Sequence, residues 1–269
     1  MNKNEDLGRH PDGRITTEQR GHILLIGIDR EEKYNGFTPK MFTELANAYA
    51  ELEDNGELRV GVLHAHGKHF TAGLDLPKFS DAMKAGEPIL PVNGVDPFSL
   101  RPPLRSTPVV AAMKGICYTV AIELMLATDI VVSAESARYS QLEVGRGVMA
   151  AAGATIRMTE RAGWGNAMKV LLTGYEFTAE EALRYNFVQE VVPDGQELER
   201  ALELAALIAA QAPLAVSATM RNALTALNEG PEAAARQFRT INQRLAGTED
   251  AAEGVQSFIE KRPPQYKGC

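Results

Sequence analysis

The run His22-Ile23-Leu24-Leu25-Ile26-Gly27-Ile28 constrains the fold more than any other stretch. It shows no alternation between a wet and a dry face. A strand that is apolar on both sides needs cover on both, which predicts a parallel sheet held between layers. The neighbouring segments agree. Ile15–Gln19 reads as a preceding strand, turned at Arg20-Gly21. Thr38-Pro39 supplies an N-cap and first-turn pair, and Met41, Leu45, Ala48, Tyr49 and Leu52 then recur at helical spacing to a stop near Asn55-Gly56. Arg59–Ala65 (strand), Val109–Met113 (strand), Thr119–Ala127 (helix) and Ile130–Ser133 (strand) continue the alternation, so βα crossovers are expected.

Two regions break this pattern. Pro77–Pro108 contains Pro88, Pro91, Pro97, Pro102 and Pro103 without clear periodicity, and a loop that long in a compact domain is usually functional. After Pro193 the chain turns rich in Ala, Leu and Glu. Helices are expected at Gln196–Gln211, Pro213–Asn228, Pro231–Leu245 and Thr248–Lys261. The division predicted is 1–194 as an α/β core and 195–269 as a helical region.

Composition narrows the function. With 28 basic against 35 acidic side chains the net charge is −7, which argues against broad attachment to nucleic acid or an anionic membrane. The leader Met1–Arg14 has no apolar core, and the apolar region Pro108–Val132 is interrupted by Lys114, Glu123 and Asp129. Two cysteines, Cys117 and Cys269, make no disulfide framework. A soluble, cytoplasmic protein is expected.

No Gly-x-Gly-x-x-Gly, Walker or Gly-x-Ser-x-Gly motif is present. His64-x-His66 share a strand face, but no further ligand pattern completes a site, so no metal is expected; His10, His22 and His69 add nothing to the pair. Two carboxylates stand out. Glu123 lies within the apolar helix Val120–Leu126, and Glu143 follows a strand region in Tyr139-Ser140-Gln141-Leu142-Glu143-Val144-Gly145. Burial raises a carboxyl pKa toward the range useful for proton transfer, and two in one pocket would couple. The plainer alternative is a structural Glu123 with an Arg or Lys partner. Phe70-Thr71-Ala72-Gly73-Leu74-Asp75-Leu76 ends a strand and starts a short helix, where unpaired amides can receive an oxyanion or Asp75 can act as a plain cap.

Taken in order, these segments resemble the crotonase (enoyl-CoA hydratase/isomerase) family. Asp29-Arg30 with Asn35 is similar to its Asn-Arg-Pro…Asn-Ala-Leu opening, and Phe70–Leu76 to its Phe-Ser-Ala-Gly-Ala-Asp-Leu segment. Pro108–Asp129 resembles the block containing Gly-Gly-Gly-Cys-Glu-Leu, and Ala137–Arg157 the block from Phe-Gly-Gln-Pro-Glu to Gly-Gly-Thr-Gln-Arg-Leu. Leu172-Thr173-Gly174, with Ala179 and Ala182, follows in register.

The resemblance implies an α/β spiral of ββα units capped by a C-terminal helical oligomerisation region, 195–269, that forms trimers, often paired as hexamers. It implies an acyl-CoA thioester substrate, coenzyme A being part of the substrate and no separate cofactor being needed. Backbone N–H groups of Leu74 and Val120 would form the oxyanion hole. Glu123 and Glu143 would orient a water for the β-carbon of a 2-enoyl-CoA, with Glu143 delivering a proton to the α-carbon. Lys33, Ala72, Asp75, Leu76 and Ala151 fall on substrate-contacting positions, and Lys78 and a neighbouring subunit's Lys261 are further candidates for the CoA phosphates. Isomerase or CoA-ester hydrolase chemistry, or CoA-ester binding without turnover, are the alternatives. The chain departs from the family where Gly-Gly-Gly becomes Thr119-Val120-Ala121 and Pro-Gly-Ala-Gly-Gly becomes Ala150-Ala151-Ala152-Gly153-Ala154. Ala151 also argues against a dienoyl-CoA isomerase, whose extra aspartate falls there.

Overall fold

In the computed structural model, which describes residues 11–88 and 94–269, the apolar run forms the second strand of a six-stranded sheet. The first ten residues of the leader, His10 among them, and Pro91 of the proline-rich stretch lie outside the described residues. Strand β1 (Arg14–Arg20) pairs antiparallel with β2 (Ile23–Asp29). Parallel to β2 follow β3 (Val60–Ala65), β4 (Val109–Met113), β6 (Ile130–Ala134) and β9 (Glu190–Val192), in the order β1-β2-β3-β4-β6-β9. A second, small sheet holds β5 (Ile116–Tyr118), β7 (Arg138–Ser140) and β8 (Phe177–Thr178).

Each turn of the chain lays one strand in the large sheet, one segment in or beside the small sheet, and then a helix. Thus β4 and β5 lead to α3 (Val120–Ala127), and β6 and β7 lead to α4 (Ala154–Thr173). After β3 the chain bridges Thr71 to Cys117 of β5 before α2 (Ser80–Ala85); α1 (Pro39–Asp54) follows β2. This is the expected ββα spiral. Gly163 (φ 74°, ψ 164°) breaks α4 into two pieces. The proline-rich stretch, expected as an unpatterned loop, contains α2 and buries Phe79 and Phe98.

Both faces of the large sheet are covered, which is why its strands read as continuous apolar runs. Leu24, Ile26, Leu63, Ala111 and Met113 face the main core between the sheets and α1. Their alternates Val60, Val62, Val110, Ala112 and Val132 face α6 (Glu197–Ala209), which meets them with Ala201, Ala205 and Ala209, one stripe at four-residue spacing. At about 25 cal/mol per Å² of apolar surface removed from water, each buried valine contributes roughly 1.5–3 kcal/mol.

Helix α5 (Ala179–Arg184) carries a capping box at Thr178 and Glu181. Beyond α6 run α7 (Pro213–Glu229), α8 (Pro231–Ala246) and α9 (Glu249–Glu260). These three bury little of their surface; Phe258 is 85% exposed. Among the described residues no single helix is long and apolar enough to cross a membrane. The bent pair α6 and α7, at 105°, has suitable length and composition, but α6 lies against the sheet.

Candidate active site

Four chain segments, 72–76, 119–123, 142–152 and the proline-rich stretch, converge on a cavity of about 620 Å³. The first is the turn after β3. Arg30, 4% exposed, donates through Nη1 to Gly36 O and to the Asp75 carboxylate (both 2.9 Å). Asn35 Nδ2 donates to His66 O and His69 O, and its Oδ1 accepts from Arg30 N–H. These buried polar groups fix the 70–76 segment. Phe37 N–H donates to Gly73 O and Asp75 N–H to Phe37 O, so the intervening Leu74 amide points away from Phe37. Among the described residues it has no hydrogen-bond partner. Gly73 sits at φ 110°, where a side chain would be strained.

The second segment is the entry to α3. Thr119 N–H donates to Ser140 O in β7, and Thr119 O receives Ile122 and Glu123 N–H. The amide of Val120, in the first turn, has no partner among the described residues. Leu74 and Val120, whose amides have no partner among the described residues, thus line one cavity.

Every residue of α3 is buried, and Glu123 is 5% exposed. Among the described residues no Lys or Arg forms an ion pair with it, contrary to the structural alternative. Its Oε1 accepts instead from Ala152 N–H (2.7 Å) and Ala154 N–H (3.3 Å), at the start of α4. Those donors and the positive end of α4 favour the carboxylate, but burial outweighs them and raises the pKa to about 7, with Glu143 adding to the rise.

Glu143 opens a single 3₁₀ turn, Glu143–Arg146, after β7. Gln141 Nε2 donates to its Oε1 at 3.0 Å, while Oε2 is buried without a partner among the described residues. Burial raises this carboxyl pKa as well. With Gln141 on Oε1, Oε2 is the atom left to carry a proton or meet a ligand.

The fourth segment comes from the proline-rich stretch. Asp96, 5% exposed, accepts the N–H groups of Phe98, Leu100 and Arg101, and so builds the turn that brings these three side chains to the cavity wall. Arg157 ties this turn to α4 through Nη2 and Phe98 O (2.6 Å). Phe42, Leu76, Met83 and Met149 complete an apolar lining.

The sequence profile of the enoyl-CoA hydratase/isomerase family matches residues 18–269. The chain belongs to this family. It is 30% identical over 255 residues to the 2,3-dehydroadipyl-CoA hydratase of Escherichia coli K12, covering 94% of this chain and 98% of that protein. It is 31% identical over 263 residues to the enoyl-CoA hydratase EchA19 of Mycobacterium tuberculosis, covering 96% and 97%. A crystal structure of a probable enoyl-CoA hydratase/isomerase from Mycobacterium abscessus superposes with a TM-score of 0.92 at 42% identity, over 95% of this chain and 98% of that one.

Of the residues that the family resemblance singled out, Glu123, Glu143, Leu74, Val120, Ala72, Leu76 and Ala151 all line this cavity. Asp75 turns its carboxylate to Arg30, and its side chain does not cap the 3₁₀ turn Leu76–Lys78. Lys33 is exposed beside Tyr34, whose carbonyl takes Ala72 N–H, so it stands near the cavity edge without lining it. Lys78 pairs with Asp12, and Lys261 follows α9. His66 Nε2 meets Thr16 Oγ1 at 2.8 Å; among the described residues no three His, Cys, Asp or Glu side chains are grouped to hold a metal. Gln141, Thr119 and Arg157 fall within the family-like blocks, where the resemblance gives them no role, and Asp96 lies outside them. Asp96-Pro97-Phe98-Ser99 is the one local signal, an acidic residue placed to bond its own following amides.

Proposed function

We infer that this family member is a 2-enoyl-CoA hydratase using both glutamates. The observation that carries the reading is that Glu123 and Glu143 line one cavity with Leu74 and Val120, whose amides have no partner among the described residues. A thioester carbonyl seated on the two amides gains stabilisation as it becomes an enolate, because preorganised donors meet charge where it develops. Glu123, with Oε1 held by the start of α4, takes a proton from water as the water oxygen bonds to C3. Glu143 gives the proton on Oε2 to C2. One water adds across one double bond, and the carboxyl pair ends with the same number of protons. Coenzyme A is part of the substrate, and the step needs no other cofactor.

The reading extends to assembly and location. The exposed apolar side chains Leu227 on α7, Phe238 on α8 and Val255, Phe258 and Ile259 on α9 support a homotrimer, or a hexamer of paired trimers, built through 195–269, with α6 belonging also to the core 1–194. A cytoplasmic enzyme without nucleic-acid or membrane partners fits the net charge of −7.

The test is hydration of short, medium, aromatic and carboxylate-bearing 2-enoyl-CoAs, with products identified by mass, in the native protein and in Glu123→Gln and Glu143→Gln. Hydration lost in both variants is expected. Isomerised or hydrolysed product, or binding without turnover, overturns the hydratase reading.

A further inference from the structure

The cavity holds two cations that the proton transfers leave unused. Arg101 and Arg146 both line it, in a wall made largely apolar by side chains such as Phe42, Leu76, Met83 and Met149. Asp96 Oδ2 stands 3.6 Å from Arg101 Nε, but that carboxylate also accepts three amides of its own turn. Arg146 is exposed, and its side chain forms no hydrogen bond or ion pair among the described residues. A hydrocarbon tail lying against these groups would strip water from two guanidinium ions and return nothing. A carboxylate would return paired N–H···O bonds, the geometry for which the guanidinium fork is built.

Their places in the chain decide which end of a substrate they meet. Glu143 is the first and Arg146 the last residue of one 3₁₀ turn, and residues three apart in such a turn share a side. Arg101 follows Leu100, whose Cδ2 lies 3.7 Å from where a Cβ on Gly153 would stand. Gly153 separates Ala152 from Ala154, the two amides that hold Glu123. Both arginines therefore belong to segments on the glutamate side of the cavity. Leu74 belongs to a different segment, 72–76, which Ala72 N–H ties to Tyr34 O beside the exposed Lys33. With the thioester carbonyl on the Leu74 and Val120 amides and C2 and C3 before the glutamates, the chain from C4 onward runs toward the arginines.

We propose that Arg146 and Arg101 select an acyl-CoA whose chain ends in a carboxylate, the mono-thioester of a dicarboxylic acid, by holding that carboxylate beyond C3. They determine specificity and take no part in the proton transfers. This inference deepens the hydratase reading above and rests on it.

The experiment uses the full-length protein and thioesters of several chain lengths ending in methyl, carboxamide or carboxylate. Each is supplied as the 2-enoyl-CoA for turnover and as the saturated acyl-CoA for calorimetric binding. At the best length the native protein is expected to favour the carboxylate over the methyl end by about 10- to 10²-fold, in kcat/KM and in binding. The carboxamide should behave like the methyl end. Arg146→Met should remove most of the preference, Arg101→Met should reduce it, and added salt should weaken it. Pantetheine thioesters, which lack the phosphates of coenzyme A, separate the two sources of negative charge, and the preference and its loss in Arg146→Met should persist with them. A variant Arg146→Met that weakens methyl- and carboxylate-ended CoA esters alike, with pantetheine esters unaffected, assigns the arginines to the CoA phosphates and overturns the proposal. So does a native protein without carboxylate preference at any length. No hydration of any 2-enoyl-CoA overturns the hydratase reading alone, since carboxylate-selective binding of the saturated esters would still uphold the arginine subsite.

Discussion

Replacing Glu123 by Gln should make the protein more stable and less active, and the gain in stability should depend on pH. In the fold the Glu123 carboxyl is raised from its ordinary 4.5 to about 7, chiefly by burial. Below pH 4.5 the group is neutral whether the chain is folded or not, and it contributes no difference. Between 4.5 and 7 the unfolded chain releases the proton while the folded one keeps it, so stability falls as pH rises. Above 7 the folded protein carries the full penalty of a buried charge. At about 1.4 kcal/mol for each pH unit, that penalty is about 3 kcal/mol. Glutamine keeps an oxygen to accept from the Ala152 and Ala154 amides, which lie 2.7 and 3.3 Å from Oε1, and it never ionises. In the absence of substrate, the variant should melt roughly 6 °C higher than the native protein at pH 8, taking about 2 °C per kcal/mol for a chain of this size. The gap should close as pH approaches 4.5. Thermal unfolding across pH 5 to 8, with hydration measured on the same samples, is the assay. A gap that is absent at pH 8, or constant across the range, would refute a buried, charge-penalised Glu123.

Three further expectations follow from the same geometry. Glu143→Gln should lower kcat by about 10²–10⁴-fold, or roughly 3–5 kcal/mol in barrier, with a near-native melting temperature; steady-state hydration kinetics beside thermal unfolding checks both halves. Gln141→Leu removes the 3.0 Å donor that favours the ionised form of Glu143. The Glu143 pKa should rise further, moving the high-pH fall in kcat to still higher pH, as a pH–rate profile would reveal. Gly73→Ala forces a side chain at φ 110° against Thr119 Oγ1, 2.3 Å from the new Cβ. A loss of about 1–3 kcal/mol in urea unfolding is expected, together with reduced turnover.

The sequence made some of this legible and hid the rest for a physical reason. Strand β2 announced itself because both its faces are covered. Helix α1 did so through its spacing and through Thr38, whose Oγ1 accepts Met41 N–H as an N-cap should. Glu123 stood out as a charge in an apolar helix. Its partners did not, because they are the amides of Ala152 and Ala154, and an amide leaves no trace in residue identity. Strands β5, β7 and β8 are two or three residues long, too short to show a period of two. Helix α4 buries only a few side chains, Met158 and Val170 among them, and breaks at Gly163, so it offers no continuous apolar stripe. The Asp96 turn was hidden among prolines that read as punctuation.

The same distinction between side chain and backbone explains how the departures at 119–121 and 150–154 remain compatible with the chemistry proposed. A backbone donor works in any residue that holds the right dihedral angles. Valine at 120 keeps its N–H, and its own side chain is buried at 4% exposure. Ala152 and Ala154 both present amides to Glu123, and Gly153 between them, at φ 113°, keeps the one angle that a side chain would resist. What changes is the cavity lining, to which Val120 and Ala151 bring side chains where the family's motifs carry glycine. The pair proposed to move the protons, Glu123 and Glu143 with their held Oε1 atoms, is not among the replaced residues. On the mechanism proposed above, the replacements act on which acyl group fits, while the two glutamates keep the proton transfers assigned to them.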